Sequence, residues 1–193
     1  GRSMGRGSHT IKDIEFEGGQ VADCVITVSN AMADELLKLG FPQDKIRPCW
    51  NGVDPVKYDP SRVSKEDRLA LRRCYGVQDH ETLLFFIGRL VTVKGADKLV
   101  RAMPLVLKEF PNTKLLILGV GDMSNELQTI ADDLGIHDKI IIRTEFVSEE
   151  ERIRHYAAAD IVVLPSLYEP FGIVCTDPSI LPAGSSFLRG YSP

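Results

Sequence analysis

Cysteine is sparse in this sequence, and its four copies lie far apart, at Cys24, Cys49, Cys74 and Cys175. Without paired spacing they indicate neither a zinc site nor a disulfide framework, and a reducing, cytoplasmic environment fits this usage. The four histidines are equally scattered, with no metal-ligand pattern and no Ser/His/Asp spacing. No metal is therefore predicted, and each histidine is expected to be structural or solvated.

Long apolar runs and an excess of basic charge are also missing. No stretch approaches the length of a membrane span, and the N-terminus has no apolar signal core. The net charge of −4 argues against a nucleic-acid partner, because proteins that bind nucleic acid are more often basic. The remaining composition, 44% hydrophobic in 193 residues, is that of an ordinary soluble protein with one domain or one domain plus appendages.

Both ends of the chain differ in character from the middle. Residues 1–10 have the small and basic composition of a cloning remnant and are left out of the fold prediction. Residues 11–177 are expected to form one incomplete domain. After Asp177, Pro178, Pro182 and Gly184 interrupt any helix. We expect residues 178–193 to be an irregular, non-native tail that replaces the natural continuation, with a native surface tail as the alternative.

Short apolar strands alternate with helices along the middle of the chain. One unit pairs a strand at residues 24–28 with a helix at 31–39, and the next starts at residues 45–50. Further strands are expected at 83–87, 114–118, 139–142 and 161–164, with helices at 96–110, 125–134 and 149–159. This order predicts an α/β fold of Rossmann-like type, a parallel sheet with helices on both faces.

One more helix is expected between Ser64, its cap, and Gly76. It carries three arginines, Arg68, Arg72 and Arg73. Charged runs on helices usually face water. We therefore expect these arginines to form a solvated outer face.

The loops that follow the strands are expected to line one crevice, because the carboxyl ends of parallel strands meet at one edge of the sheet. These loops are residues 88–95, 119–122, 146–148 and 168–172. The first carries Arg89 and Lys94 between Gly88 and Gly95. Two fixed cations and a helix N-terminus suit a diphosphate, whose charge exceeds what a helix dipole of about half an elementary charge offsets. The alternative is that both are ordinary surface residues.

A carboxylate follows the last strand, in the stretch 164–174. Pro165 and Pro170 stop regular pairing, and Gly172 lets backbone N–H groups approach a ligand. Glu169 is therefore expected to face a pocket, with a solvated turn as the alternative.

Gly119 and Gly121 superficially match a dinucleotide fingerprint. The third glycine position holds Ser124, however, and the strand is not the first of the fold. A tight loop is expected here and no redox cofactor.

Taken in order, these segments resemble the C-terminal domain of GT-B retaining glycosyltransferases, glycosyltransferase group 1. That family includes glycogen, starch and sucrose synthases and the phosphatidylinositol mannosyltransferases. The matching segments are residues 88–90, 94–95, 119–121, 146–151, 156–160, 165–166 and 169–174. The resemblance covers about residues 22–177, and residues 168–172 look nearest to glycogen synthase-like members. It implies that residues 11–177 are a nucleotide-sugar-binding, Rossmann-like half of a GT-B architecture, truncated at the C-terminus.

The resemblance also implies roles for individual residues. Arg89 and Lys94 would bind the donor diphosphate and stabilise it as it leaves, and Glu169 would bind sugar hydroxyls; these three are the expected catalytic residues. The other donor-binding residues implied are Gly88 in the same loop, Val147 by its backbone at the base, Phe171, Gly172 and Ile173 by their N–H groups, and Asp177. Asp177 stands where the family usually has a ribose-binding glutamate.

The implied reaction moves a hexosyl group from a nucleotide-diphosphate sugar, UDP- or ADP-glucose, to a carbohydrate acceptor with retention and without metal or cofactor. The acceptor would bind through the family's N-terminal domain, which has no counterpart before Ala22. The chain alone is therefore expected to be inactive or nearly so. A nucleotide-sugar epimerase of the same architecture and a non-catalytic α/β binding module are the alternatives, and base, sugar and acceptor stay open.

Overall fold

The computed structural model describes residues 11–50, 52, 54, 56–167 and 186–189. These residues fall into two compact units, one within residues 11–52 and one formed by residues 54–167 with 186–189. The two described strands of the first unit pair with each other, and the other five form a separate sheet. The domain expected over residues 11–177 stays a prediction.

The first unit is small and contains two helices and two parallel strands. Its elements are α1 (Ile11–Val21), β1 (Val25–Thr27), α2 (Asn30–Lys38), a 3-10 turn (Gln43–Lys45) and β2 (Ile46–Pro48). The expected unit of strand and helix is confirmed. Ser29 caps α2, since its side chain accepts the Met32 N–H at 3.1 Å. The helix ends at Lys38, and Gly40, just beyond it, has φ of 89°.

The second unit contains the predicted alternation of strands and helices. Its elements are a 3-10 turn (Pro60–Arg62), α3 (Lys65–Cys74), β3 (Thr82–Ile87), a 3-10 turn (Thr92–Lys94), α4 (Ala96–Glu109), β4 (Thr113–Leu118), α5 (Ser124–Asp133), a 3-10 turn (His137–Lys139), β5 (Ile140–Arg143), α6 (Glu149–Ala158), β6 (Ile161–Leu164) and β7 (Ser186–Arg189). The strands form one sheet in the order β5-β4-β3-β6-β7, and every pair is parallel. The α/β fold with a parallel sheet is confirmed.

The central strand β3 separates two hydrophobic cores. Leu84 and Phe86 pack into the core that α4 and α5 cover, whereas Leu83 and Phe85 pack into the core with Tyr156 of α6. Successive side chains of a strand point to opposite faces, so a wholly apolar strand requires cover on both sides. The helices on both faces follow from this pattern.

Residues 186–189 differ from the irregular tail that was expected. They form β7, which pairs in parallel with β6 so that Ser186 lies opposite Ile161 and Arg189 opposite Leu164. Four residues are too few to show the alternation of apolar and polar side chains that predicts a strand. This strand forms because the edge of β6 offers N–H and C=O groups for pairing. The non-native origin of the tail stays a prediction.

Arg72 corrects the prediction of a solvated arginine face on α3. Its side chain is buried, with 7% of the residue exposed, because α3 packs against α6. Nη1 donates to the Ala158 carbonyl and to Asp160 Oδ2, each at 2.9 Å, and Nη2 donates to the Glu81 carbonyl. Asp160 Oδ2 also accepts the Leu83 N–H at 2.7 Å. Arg72 therefore joins α3 to the segment that precedes β3 and to the segment that precedes β6.

His155 is the most buried of the described histidines and has a structural environment. Its Nδ1–H donates to the Glu151 carbonyl oxygen at 2.6 Å, and Nε2 accepts from the Tyr75 hydroxyl at 2.7 Å. Burial lowers the pKa of His155 below its ordinary value. The structural role expected for it is confirmed.

We expect this burial to make the protein less stable in mild acid. The unfolded chain takes up a proton at His155 as pH falls through about 6.5. The folded chain takes it up only at a lower pH, because burial lowers the pKa of His155, so the free energy of unfolding decreases as pH falls below about 6.5. Urea unfolding at pH 7.5 and 5.5 tests this. His155→Gln should lose less stability than the wild type over this range, and an equal loss in both would contradict the prediction.

The described helices include none with the length and apolar content required to cross a bilayer.

Candidate functional site

Loops at the carboxyl ends of β3, β4 and β5 border one crevice of about 160 Å³. Among its lining residues are Gly88, Arg89, Gly119, Val120, Glu145, Phe146, Val147 and Arg152. Loops 88–95, 119–122 and 146–148, which the sequence predicts at a common crevice, thus meet there. The fourth loop, residues 168–172, lies outside the described residues.

The loop of residues 88–95 is fixed to its neighbour after β4 by backbone hydrogen bonds. Gly88 N–H donates to the Leu118 carbonyl at 3.1 Å, and Leu90 N–H donates to the Val120 carbonyl at 2.9 Å. In return, Met123 N–H donates to the Leu90 carbonyl at 3.2 Å. Backbone hydrogen bonds therefore hold one side of the loop that carries Arg89.

The other side of the same loop is held by the segment that follows β6. Leu167 N–H donates to the Val93 carbonyl at 2.9 Å. A Cβ at Gly95 would lie 2.2 Å from the Pro165 carbonyl oxygen, and Gly95 has φ of 71°, so glycine is required both by the contact and by the backbone. Helix α4 begins at the next residue. Neighbouring backbone thus clamps the loop on both sides.

Gly119 and Gly121 have a packing role, and the expected tight loop is confirmed. A Cβ at Gly119 would lie 1.8 Å from the Gly88 carbonyl oxygen, and a Cβ at Gly121 would lie 2.2 Å from that of Leu90. Gly119 N–H also donates to the Arg143 carbonyl at 3.0 Å. The two glycines let three strand-end loops approach one another closely.

The predicted cations have different positions. Arg89 is exposed and lines the crevice. Lys94 is half-buried at the end of the 3-10 turn before Gly95 and is outside the lining of this crevice. Both nevertheless belong to the one clamped loop, on the edge of the sheet where the strands end.

Val147 lies at the crevice because a capping box fixes the start of α6. The Ser148 hydroxyl accepts the Glu151 N–H at 3.2 Å, and the Glu151 carboxylate accepts the Ser148 N–H at 3.0 Å. These bonds lower the pKa of Glu151. Val147, one residue earlier, is half-buried against the core, while Phe146 is 89% exposed at the crevice rim.

Arg152 lines the crevice and is a residue that the sequence analysis missed. Its Nη2 donates to the Tyr58 hydroxyl oxygen at 2.8 Å and to Glu149 Oε1 at 3.4 Å. Tyr58 O–H donates to the same carboxylate, which Lys57 also pairs. The hydrogen bond from Lys57 is the main cause that lowers the pKa of Glu149, and burial is the main cause that raises the pKa of Tyr58.

A signal for Arg152 was present in the sequence. Residues four apart on a helix lie on the same face, so a crevice-facing segment at 146–148 places Arg152 one turn beyond the cap residue Ser148. The crevice also receives a carboxylate, Glu145, but Arg143 forms an ion pair with it. Arg89 and Arg152 both line the crevice, and Arg152 also contacts the Glu149 carboxylate.

The remaining predicted site residues, Glu169, Phe171, Gly172, Ile173 and Asp177, lie outside the described residues. Their roles stay predictions.

A protein family described as "Glycosyl transferases group 1" matches residues 67–179, more than half of the chain. The chain belongs to this family. A second family, described as "Glycosyltransferase Family 4", matches residues 2–57. That match covers the first unit and includes most of the residues that the sequence analysis left out as a remnant.

Curated relatives are glycosyltransferases. The chain is 40% identical to an uncharacterized glycosyltransferase of Methanocaldococcus jannaschii over 88% of its own length and 43% of that protein. It is 31% identical to a GDP-mannose-dependent alpha-(1-6)-phosphatidylinositol monomannoside mannosyltransferase of Mycolicibacterium smegmatis, over 76% of its own length and 37% of that protein. The chain thus spans less than half the length of these relatives.

Solved glycosyltransferases share the fold. HepE of Anabaena, crystallised with UDP and glucose, superposes with a TM-score of 0.76 at 21% identity, over 90% of this chain and 46% of HepE. At this identity the likeness concerns the fold alone. It confirms that the α/β fold belongs to the GT-B architecture, of which the chain is a part.

Proposed function

We propose that the chain carries the donor-binding half of a retaining glycosyltransferase, which moves a hexosyl group from a nucleotide-diphosphate sugar to a carbohydrate acceptor, as glycogen and starch synthases do. The observation that supports this most is the clamped loop 88–95. Backbone hydrogen bonds on both sides hold it where Arg89 faces the crevice and α4 begins. These bonds fix the backbone from which Arg89 extends, and a cation directed at the site stabilises the charge that develops there.

In this proposal the loop receives the diphosphate. Arg89 and Lys94 supply two positive charges, and the first N–H groups of α4 add the positive end of a helix dipole. As the bond between the anomeric carbon and the phosphate oxygen breaks, negative charge grows on the diphosphate, and these groups stabilise it. Gly88 belongs to the same loop, where its carbonyl oxygen packs against Gly119.

The remaining steps use residues whose roles are predictions from the resemblance. Val147 contacts the base through its backbone, Glu169 binds sugar hydroxyls and Asp177 binds the ribose. The N–H groups of residues 171–173 contact sugar or phosphate. The acceptor oxygen then bonds to the anomeric carbon on the face that the diphosphate leaves, and its proton passes to a phosphate oxygen, which gives retention.

The relatives support a nucleotide-sugar donor but name different ones. HepE was also crystallised with UDP-glucose, whereas the mycobacterial relative is GDP-mannose-dependent by name. Because the chain spans less than half of these proteins, an acceptor site on the rest of the enzyme is part of the proposal. A cytoplasmic location is another part, supported by the exposed free thiols of Cys24, Cys49 and Cys74.

Binding of nucleoside diphosphates tests this proposal. We expect Arg89→Ala and Lys94→Ala each to raise the Kd for UDP or GDP about tenfold or more, because a hydrogen bond to a charged group is worth about 1.5–3 kcal/mol. The measurement is calorimetric titration of the 193-residue chain. Arg101→Ala, an exposed cation further along α4, is the matched control and should bind as the wild type does.

Two outcomes would count against the proposal. If both loop variants bind nucleoside diphosphates with unchanged affinity, the diphosphate does not bind at loop 88–95. Failure of the folded wild type to bind any nucleoside diphosphate would favour a non-catalytic module. Turnover of a nucleotide sugar by the chain alone would refute its expected inactivity, since half a cleft neither excludes water nor positions an acceptor.

A further inference from the structure

Arg152 is held rigidly at the crevice by groups that are not part of the proposed diphosphate site. Its guanidinium carbon lies 5.9 Å from the centre of the Tyr58 ring, and Tyr58 itself is only 9% exposed. Nη2 makes both of its side-chain hydrogen bonds, at 2.8 Å to Tyr58 and 3.4 Å to Glu149. A guanidinium has five N–H groups, so those on Nε and Nη1 are additional donors for a ligand.

The sheet order separates Arg152 from Arg89. Arg89 follows β3, and Arg152 belongs to the helix that follows β5, with β4 between the two strands. Neighbouring strands lie about 4.8 Å apart, so the two strand ends are roughly 10 Å apart across the sheet. That distance leaves room for a ribose between a diphosphate at Arg89 and a base near Arg152.

Phe146 gives this end of the crevice an aromatic surface. Its ring is 89% exposed although it lines the crevice beside Val147 and Arg152. Bases stack on aromatic side chains with little regard to sequence. The ring therefore suits any base, and discrimination between bases must come from a polar group such as Arg152.

A guanidinium can only donate hydrogen bonds, and this determines which bases suit it. Guanine presents the acceptors O6 and N7 side by side, and uracil presents a carbonyl oxygen at O4. Adenine carries an amino group at the equivalent place. That amino group and the guanidinium are both donors, so no hydrogen bond forms between them. Among the described residues that line the crevice, Glu145 is the one with a carboxylate, and it is paired with Arg143.

We infer that Arg152 selects the base of the nucleotide donor and favours a base with a carbonyl oxygen, guanine or uracil, over adenine. This role depends on the proposed function, because it requires a nucleotide in the crevice. Tyr58 is a positioning residue that keeps the guanidinium turned toward the base.

Calorimetric titration with GDP, UDP and ADP tests this role. The wild type should bind GDP or UDP about tenfold more tightly than ADP, the size of one good base contact. Arg152→Leu should weaken the preferred nucleotide about tenfold and leave ADP within about twofold, so that the preference disappears. Tyr58→Phe should reduce the preference in part. The GDP and UDP titrations show which of the two bases supplies the carbonyl.

Arg154→Leu is the matched control. Arg154 belongs to the same helix but lines a different cavity, where it lies 3.5 Å from Asp67, and half of its side chain is exposed. Such exposed pairs contribute little to stability. This variant should keep both the affinity and the base preference of the wild type.

The outcomes separate this inference from the proposed function. If Arg89→Ala weakens all three nucleotides while Arg152→Leu keeps the wild-type preference, the role of Arg152 is refuted and the donor site stands. A wild type that prefers ADP also refutes it, and a wild type that binds no nucleotide refutes both. If circular dichroism shows that Arg152→Leu does not fold, the base preference of Arg152→Lys is measured instead. Lysine keeps the charge but not the planar donor array, so an unchanged preference in Arg152→Lys would refute the role of Arg152.

Discussion

Gly119→Ala is expected to disrupt the crevice and to destabilise the second unit by about 1–3 kcal/mol, the usual cost of inserting a methyl group into packed surroundings. The added Cβ would lie 1.8 Å from the Gly88 carbonyl oxygen and 3.0 Å from its carbon. Both are backbone atoms, so the clash cannot be relieved by a side-chain rotation. The loop that carries Arg89 must move instead.

Urea unfolding and calorimetric titration measure the two effects of this substitution. The Kd for UDP or GDP should rise more than tenfold, because a displacement of the cation loop of about 1 Å removes aligned contacts. Gly18→Ala is the control, since a Cβ there meets nothing within 4 Å. Wild-type stability together with wild-type affinity in Gly119→Ala would contradict the role given to this contact.

Arg72→Leu is expected to lower the free energy of unfolding by about 3 kcal/mol. Removing the guanidinium leaves the carbonyls of Ala158 and Glu81 without this donor, and Asp160 loses its ion pair. Loss of one partner of a buried pair costs about 3–5 kcal/mol. The lower end applies because the Asp160 side chain is 49% exposed, so water replaces part of the interaction.

Circular dichroism should be used to follow this unfolding. Tryptophan fluorescence would report on the other unit, because Trp50, the single tryptophan, belongs to it. Arg73→Leu is the matched control, since Arg73 is the next residue of α3 and is exposed. Asp160→Asn should cost less than Arg72→Leu, because the amide oxygen still accepts the Leu83 N–H. An effect of Arg72→Leu no larger than that of Arg73→Leu would show that the buried bonds contribute little.

The sheet of the second unit could be predicted from the sequence because its strands are short apolar runs bounded by Gly and Pro. The predicted strand at residues 83–87 and the observed Thr82–Ile87 differ by one residue. Arg72 could not be predicted, since helical position alone does not show which of three arginines meets a neighbouring helix. Strand β7 could not either, because its pairing depends on β6 and not on its own four residues.

The site was partly predictable for a related reason. Parallel strands end at one edge, so the positions of Gly88, Arg89 and Val147 at a common crevice follow from the order of strands and helices. Arg152 escaped because its orientation depends on Tyr58, which is 94 residues away.

Main-chain hydrogen bonds fasten loop 88–95 to both neighbouring segments, and the buried side chain of Leu90 packs into the core. A main-chain hydrogen bond does not depend on which side chain stands at an exposed position of the loop, such as Val93. Exposed side chains at the rim of the crevice can thus change while the backbone that carries Arg89 keeps its bonds.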